Sequence, residues 1–109
     1  MTDDRMRAQF RARAVVLKAL AHPTRLLLVD ELARGERCVA ELTQAAGADM
    51  STISRHLSVL KNAGILRDER RGASVYYRLR CPCVLEFFTC VESVLEINAR
   101  ESLELARKD

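Results

Sequence analysis

No apolar run in the chain reaches the roughly 18 residues that a membrane-spanning helix requires. The opening stretch, MTDDRMRAQF, is charged and has no signal-peptide core. These two absences lead to the expectation of a cytoplasmic protein without a membrane partner. Internal repeats, linkers and low-complexity tracts are also missing. Histidine is scarce, with only His22 and His56, and there is no anion-binding loop or Cys/His/Asp constellation. The lack of such a loop or constellation argues against a thiol enzyme that would use Cys81-Pro82-Cys83 as a redox pair, and no enzyme is expected. What is present is an ordinary globular balance of 49% hydrophobic and 30% charged residues. At 109 residues a single domain over 1–109 is expected. Its core is marginal to adequate, and a further face buried against a second copy would help.

Charge is unevenly spread. The net charge is +3, yet seven Lys and Arg between Met50 and Arg80 face only Asp68 and Glu69, a local charge of +5. A basic patch on a near-neutral background points to a phosphate-facing surface.

The apolar positions Met6, Phe10, Val15, Val16, Leu17 and Leu20 have mostly helical spacing. Pro23 suits a first helical position, and Gly35 can close the helix that follows. Val39 to Ala46 reads as a short helix stopped by Gly47. A further helix begins near Ser51, a plausible N-cap, buries Ile53, Leu57 and Leu60, and ends at Gly64. Two helices across a tight glycine turn form a helix-turn-helix. The period then changes: Val75, Tyr77 and Leu79 alternate with Tyr76 and Arg78, giving a β-hairpin with Arg70-Arg71-Gly72 at its arginine-rich tip. Beyond Cys83 a helical stripe of Val84, Leu85, Phe88, Val91, Val94 and Leu95 is broader than one small domain covers.

The expected fold is therefore mainly α with a β-hairpin wing, a winged helix-turn-helix. Its second helix can lie in the major groove of double-stranded DNA. Ser51, Thr52, Ser54, Arg55 and His56 would reach base edges, with Arg55 able to fork onto guanine. Arg70 and Arg71 at the wing would meet backbone or minor groove, positioning more than specifying. A solvated basic face and a packed His56 are the bland alternatives.

The segments HPTRLLLVDELARGE, STISRHLSVLKNAGIL and RRGASVYYRL resemble, in register, those of the ArsR/SmtB family of bacterial metal-responsive repressors. The resemblance runs from about Leu20 to Leu79. It implies a homodimer, paired through the first and last helices, that represses an operon and leaves its operator when an inducer binds. The family's thiolate pair on the third helix is incomplete here, because Ala40 stands where a second cysteine would follow Cys38. Its zinc site on the last helix is absent, since no histidine lies beyond His56.

Cys81, Cys83 and Cys90 remain. In a reducing compartment they are expected as thiols or metal ligands rather than disulfides. Three thiolates without histidine suit a soft ion of low coordination number and are a poor match to four-ligand structural zinc. Some arsenic-sensing members of the family resemble this chain in such a trio. The expected inducer is therefore As(III) or Sb(III), with Cd(II) or Pb(II) as alternatives. A thiol-redox or persulfide sensor of the same fold, and a constitutive DNA-binding protein with inert cysteines, are the rivals. In an unbroken helix Cys83 and Cys90 would stand about 10 Å apart along the axis. Either the helix starts after Cys83 and the Cys81-Pro82-Cys83 turn folds over Cys90, or the set is completed across the dimer. A helix N-terminus beside Arg78 and Arg80 is expected to acidify these thiols.

Overall fold

The structure, a computed structural model, describes residues 3–107. Helix α1 spans Asp4–Leu20, and the Asp3 carboxylate accepts from the Met6 amide at 2.8 Å to cap it. Helix α2, Pro23–Ala33, follows after a two-residue turn, with Pro23 in its first turn as expected. Strand β1, Arg37–Cys38, leads directly into α3, Val39–Ala46. The sequence pattern gave no hint of β1, because two residues carry no period. Helix α4 is Met50–Asn62.

The hairpin consists of β2, Leu66–Arg71, and β3, Ser74–Leu79, joined at Gly72-Ala73. The antiparallel sheet has the order β1-β3-β2, with Cys38 opposite Tyr76 and Leu66 opposite Leu79. A single 3-10 turn, Pro82–Val84, then precedes α5, Leu85–Arg107.

One core joins these elements. Leu28 and Val29 of α2, Leu42 of α3, and Ile53, Leu57 and Leu60 of α4 are fully shielded from solvent. Ile65, Leu66 and Tyr77 close it from the hairpin side. The 3.6-residue period of α4 sets this face, and the period-2 alternation of β3 turns Tyr77 inward while Arg78 stays exposed.

Two chain reversals depend on glycine. Gly47 ends α3 at φ 66°, and its amide donates to the Thr43 carbonyl at 3.0 Å. Gly64 ends α4 at φ 85°, and a Cβ there would lie 2.9 Å from Arg80 Nη1. Gly64→Ala is therefore expected to destabilise the protein by about 1–2 kcal/mol, from the left-handed backbone. Thermal unfolding of the variant checks this, and an unchanged Tm would contradict it.

Helix α5 is different from the rest: none of its residues is buried. Only Leu85 and Phe88, near its start, pack on the edge of the core. Val91, Val94, Leu95 and Ile97 stay more than half exposed, as do Phe10 and Val15 of α1. The radius of gyration is 17.6 Å, and the longest dimension is 62 Å. A compact chain of this length would have a radius near 13 Å. No helix among the described residues is long and apolar enough to cross a membrane.

Candidate nucleic-acid interface and thiol site

The start of α4 is set by Asp49 rather than by Ser51. The Asp49 carboxylate accepts from the Thr52 amide at 2.8 Å and from the Ser51 hydroxyl at 2.7 Å. These bonds, the Thr52 amide first, hold its pKa down to about 2. Aspartate is as good an N-cap as serine, so the signal was present in the sequence. Ser51, Ser54 and Arg55 are exposed on the first turns of α4, and Thr52 is half-buried beside them.

His56 is turned the other way. Its ring lies against that of His22, with centroids 4.4 Å apart, and its Nδ1 is 3.2 Å from Arg25 Nη1. A guanidinium has no lone pair to offer, so Nδ1 accepts and the imidazole is neutral. Arg25 also donates through Nε to the Ala19 carbonyl at 2.6 Å. His22 Nδ1 in turn accepts from the Thr24 amide, which caps α2. The group His22, Arg25 and His56 thus fastens the end of α1 and the middle of α4 to the start of α2. Of the two expectations for His56, a base contact and a packed ring, its contacts in this structure are those of the packed one, a brace for the helix.

Burial lowers the His56 pKa below its ordinary 6.5, reinforced by the charges of His22 and Arg25. The unfolded chain then takes up a proton before the folded one does. The stabilisation from neutral His56 is complete above pH 6.5 and declines as pH falls through that value towards the lower folded pKa. Thermal unfolding between pH 7.5 and 5.5 is expected to show Tm dropping, with a shallower drop in His56→Gln. Parallel curves for the two proteins would count against the brace.

The wing arginines also part company. Arg71 donates to both carboxylate oxygens of Glu36, at 2.5 and 2.8 Å, and to Glu69 at 2.7 Å. Its guanidinium also stacks 4.7 Å from the centre of the Tyr76 ring. The Arg71 interaction lowers the Glu36 pKa. Arg71 therefore ties the wing to the start of β1, a pairing 35 residues apart that no local pattern reveals. Arg70 makes only a 3.4 Å contact from Nε to the Gly72 carbonyl and remains exposed at the tip.

The three cysteines lie where the wing gives way to α5. Cys81 is extended (φ −133°), and Pro82 opens the 3-10 turn, so the regular helix does begin after Cys83. The Cys81 and Cys83 sulfurs are 2.8 Å apart, and both residues are exposed free thiols. Cys90 is exposed on the second turn of α5 and is not drawn to them. Among the described residues no three Cys, His, Asp or Glu side chains converge as metal ligands. The expected acidification is also reversed at Cys83. The hydrogen bond with Cys81 and the repulsion of a second thiolate push its pKa up.

Two hydrogen bonds link this turn to the residues that follow α4. The Arg80 amide donates to the Ile65 carbonyl at 2.9 Å, and Arg80 Nη1 reaches the Gly64 carbonyl at 3.4 Å. Beside the thiols lies a cavity of about 360 Å³ walled by Val16, Leu20, Ile65 and Phe87. No local pattern points to that cavity, because its walls come from three separated segments.

A helix pair with an exposed second helix and an adjoining basic hairpin defines the winged helix-turn-helix class of DNA-binding domain. The chain belongs to the arsR family of bacterial regulatory proteins, whose pattern residues 22–68 match. It is 52% identical over 66 residues to the arsenic resistance transcriptional regulator ArsR1 of Pseudomonas putida, covering 60% of this chain and 52% of that one. The chain spans about half the length of that relative. A homodimeric winged helix-turn-helix DNA-binding domain from Mycobacterium bovis superposes with TM-score 0.78 at 35% identity, over 92% of this chain and 93% of that one. The antimony-specific transcriptional repressor AntR gives TM-score 0.74 at 34% identity, over 91% and 90% of the two chains. These relatives are transcriptional regulators and not enzymes.

Proposed function

We propose that the protein is a homodimeric transcriptional repressor that binds operator DNA and is released when As(III) or Sb(III) binds its cysteine thiolates. The observation that carries the reading is the pair of exposed sulfurs of Cys81 and Cys83, 2.8 Å apart. Arg80 lies next to Cys81 and is bonded to Gly64 and Ile65, just beyond the end of α4. A soft ion held by these sulfurs pulls on the end of the helix that faces DNA. Release requires that the ion bind the DNA-incompetent shape better, by a coupling of typically 1–3 kcal/mol. Cys90 supplies the third sulfur, either by rearrangement of the turn or from the partner subunit. The likeness to an arsenic resistance regulator and to an antimony-specific repressor supports the choice of ion.

The dimer forms through α1 and α5, whose apolar faces are otherwise left in water. It presents two copies of α4 to adjacent major grooves. Ser51, Thr52, Ser54 and Arg55 read bases, Arg70 meets phosphate, and Arg71 and His56 hold the wing and helix in place. Arg55→Ala is expected to weaken binding to the preferred duplex about 5- to 150-fold and relax specificity at one base pair. Arg70→Ala weakens all duplexes alike and lowers the salt slope by about one. Fluorescence anisotropy on duplexes selected from a random library checks both. Equal salt slopes for Arg70→Ala and the parent would remove Arg70 from the interface.

The same close, exposed thiol pair favours one second reading. Oxidation by peroxide would join two cysteines as a disulfide, and polysulfide would insert a sulfur bridge. Release by either oxidant, with no response to arsenite under reducing conditions, selects that reading.

A further inference from the structure

We infer that Asp49 makes the tip of α4 an acceptor-only surface, so that the helix selects a base with an exocyclic amino group, cytosine or adenine, where its tip meets the major groove. The inference rests on the reading of α4 as the helix that enters the groove, and adds to it a residue and a class of base.

The protons at the start of α4 can be counted. A serine hydroxyl has one proton and two lone pairs, so alone it donates or accepts. Here the Ser51 proton is already taken: the hydroxyl donates to Asp49 Oδ1 at 2.7 Å. The Thr52 amide donates to the same oxygen at 2.8 Å, and the Ile53 amide to the Asp49 carbonyl at 3.1 Å. Ser51 is left with lone pairs to offer. Both side-chain bonds end on Oδ1, so Oδ2 keeps lone pairs too, on an exposed residue. The Asp49 pKa is held at about 2, by the Thr52 amide first and then by the Ser51 and Thr52 hydroxyls. At neutral pH the carboxylate therefore has no proton to donate.

Such a tip discriminates between bases. In the major groove cytosine offers its N4 amino group and adenine its N6 amino group as donors, whereas thymine O4 and guanine O6 and N7 offer only lone pairs. Phosphate is turned away as well. A helix N-terminus is otherwise a ready anion site, and here a carboxylate of the chain fills it. The tip is thereby committed to base edges rather than to the DNA backbone. Donors return one turn further on. Arg55 is exposed four residues beyond Ser51, its charge acts on Asp49, and it can fork onto guanine. Helix α4 then reads an amino group at its tip and guanine a turn later.

The test uses the reduced, full-length protein and the duplex it selects from a random library. Each cytosine and adenine of a half-site is replaced in turn by 2-pyrimidinone or purine, the same bases without the amino group, and affinity is read by fluorescence anisotropy. One replacement is expected to weaken the parent about 5- to 150-fold, the usual loss at a mismatched contact. Asp49→Asn and Asp49→Ser are titrated on the same duplexes. Both residues cap a helix as aspartate does, so circular dichroism should be kept. In Asp49→Asn the amide oxygen serves the cap and the NH₂ group stands where Oδ2 was, a donor in place of an acceptor. Without the carboxylate, the loss on that replacement should shrink to within about twofold in both variants. All three proteins meet the same weakened base pair, so the difference isolates the contact. The inference is overturned if no replacement costs the parent more than about twofold, or if either variant loses as much as the parent. Sequence-selective binding with either outcome would leave the proposed function standing without an amino-reading tip. A parent that selects no sequence from the library would remove the reading of α4 and the inference together.

Discussion

Replacing Cys81 and Cys83 together by serine leaves operator affinity within about twofold and abolishes release by arsenite. The first half follows from exposure. Both residues lie on the surface outside the buried cluster, and neither contributes to the α4 face. Serine keeps the shape of the turn, and Pro82 still starts it. The second half follows from chemistry, because a hydroxyl does not replace a thiolate toward a soft trivalent centre. In the parent protein arsenite should weaken operator binding by about 5- to 150-fold, the usual range of an allosteric coupling. In the double variant the binding curves with and without arsenite should superimpose. Cys90→Ser should fall between them, since two sulfurs remain. Anisotropy of a labelled duplex under reducing conditions reads all three proteins. A double variant released as readily as the parent would move the sensor elsewhere in the chain.

The second large effect concerns α5. Val91→Asp with Leu95→Asp is expected to convert the dimer to a monomer and lower operator affinity by about 10²- to 10⁴-fold. The two positions are one helical turn apart on the same face, 52% and 55% exposed. Neither belongs to the core that holds α2, α3, α4 and the hairpin together. The monomer should therefore stay folded, with circular dichroism close to that of the parent. The affinity loss is the avidity forfeited when two half-site modules are no longer linked. Light scattering during gel filtration gives the mass. A variant that remains dimeric would show that α5 is not the interface.

Much of this was legible from the sequence because local rules and tertiary packing agree. Ile53, Leu57 and Leu60 are spaced for one helical face, and all three are fully buried. Val75, Tyr77 and Leu79 alternate as a strand should, and Pro23 and Gly47 punctuate the helices at the expected places. The excess apolar stripe on α5 is observed as exposed surface. What escaped depends on partners distant in sequence. Arg71 looked like a phosphate contact because nothing local announced Glu36. His56 shares the first turns of α4 with residues that face outward, and only the fold brings His22 and Arg25 against it. The cysteine spacing left a helix start after Cys83 as one of two alternatives, the one Pro82 favours, and α5 does start at Leu85. It did not show that Cys81 and Cys83 would pair while Cys90 stood apart, because that follows from the extended backbone at Cys81 and the 3-10 turn.

The central claim is that a thiophilic metalloid on the Cys81–Cys83 turn drives the protein off DNA. It is tested most directly by titrating the preformed complex of reduced protein and selected duplex with As(III), Sb(III), Cd(II), Pb(II) and Zn(II) in parallel. Release by As(III) and Sb(III) at stoichiometric metalloid, with Zn(II) inert, is the predicted result. Retention of DNA in the presence of excess As(III) and Sb(III), or release by Zn(II) alone, would contradict it.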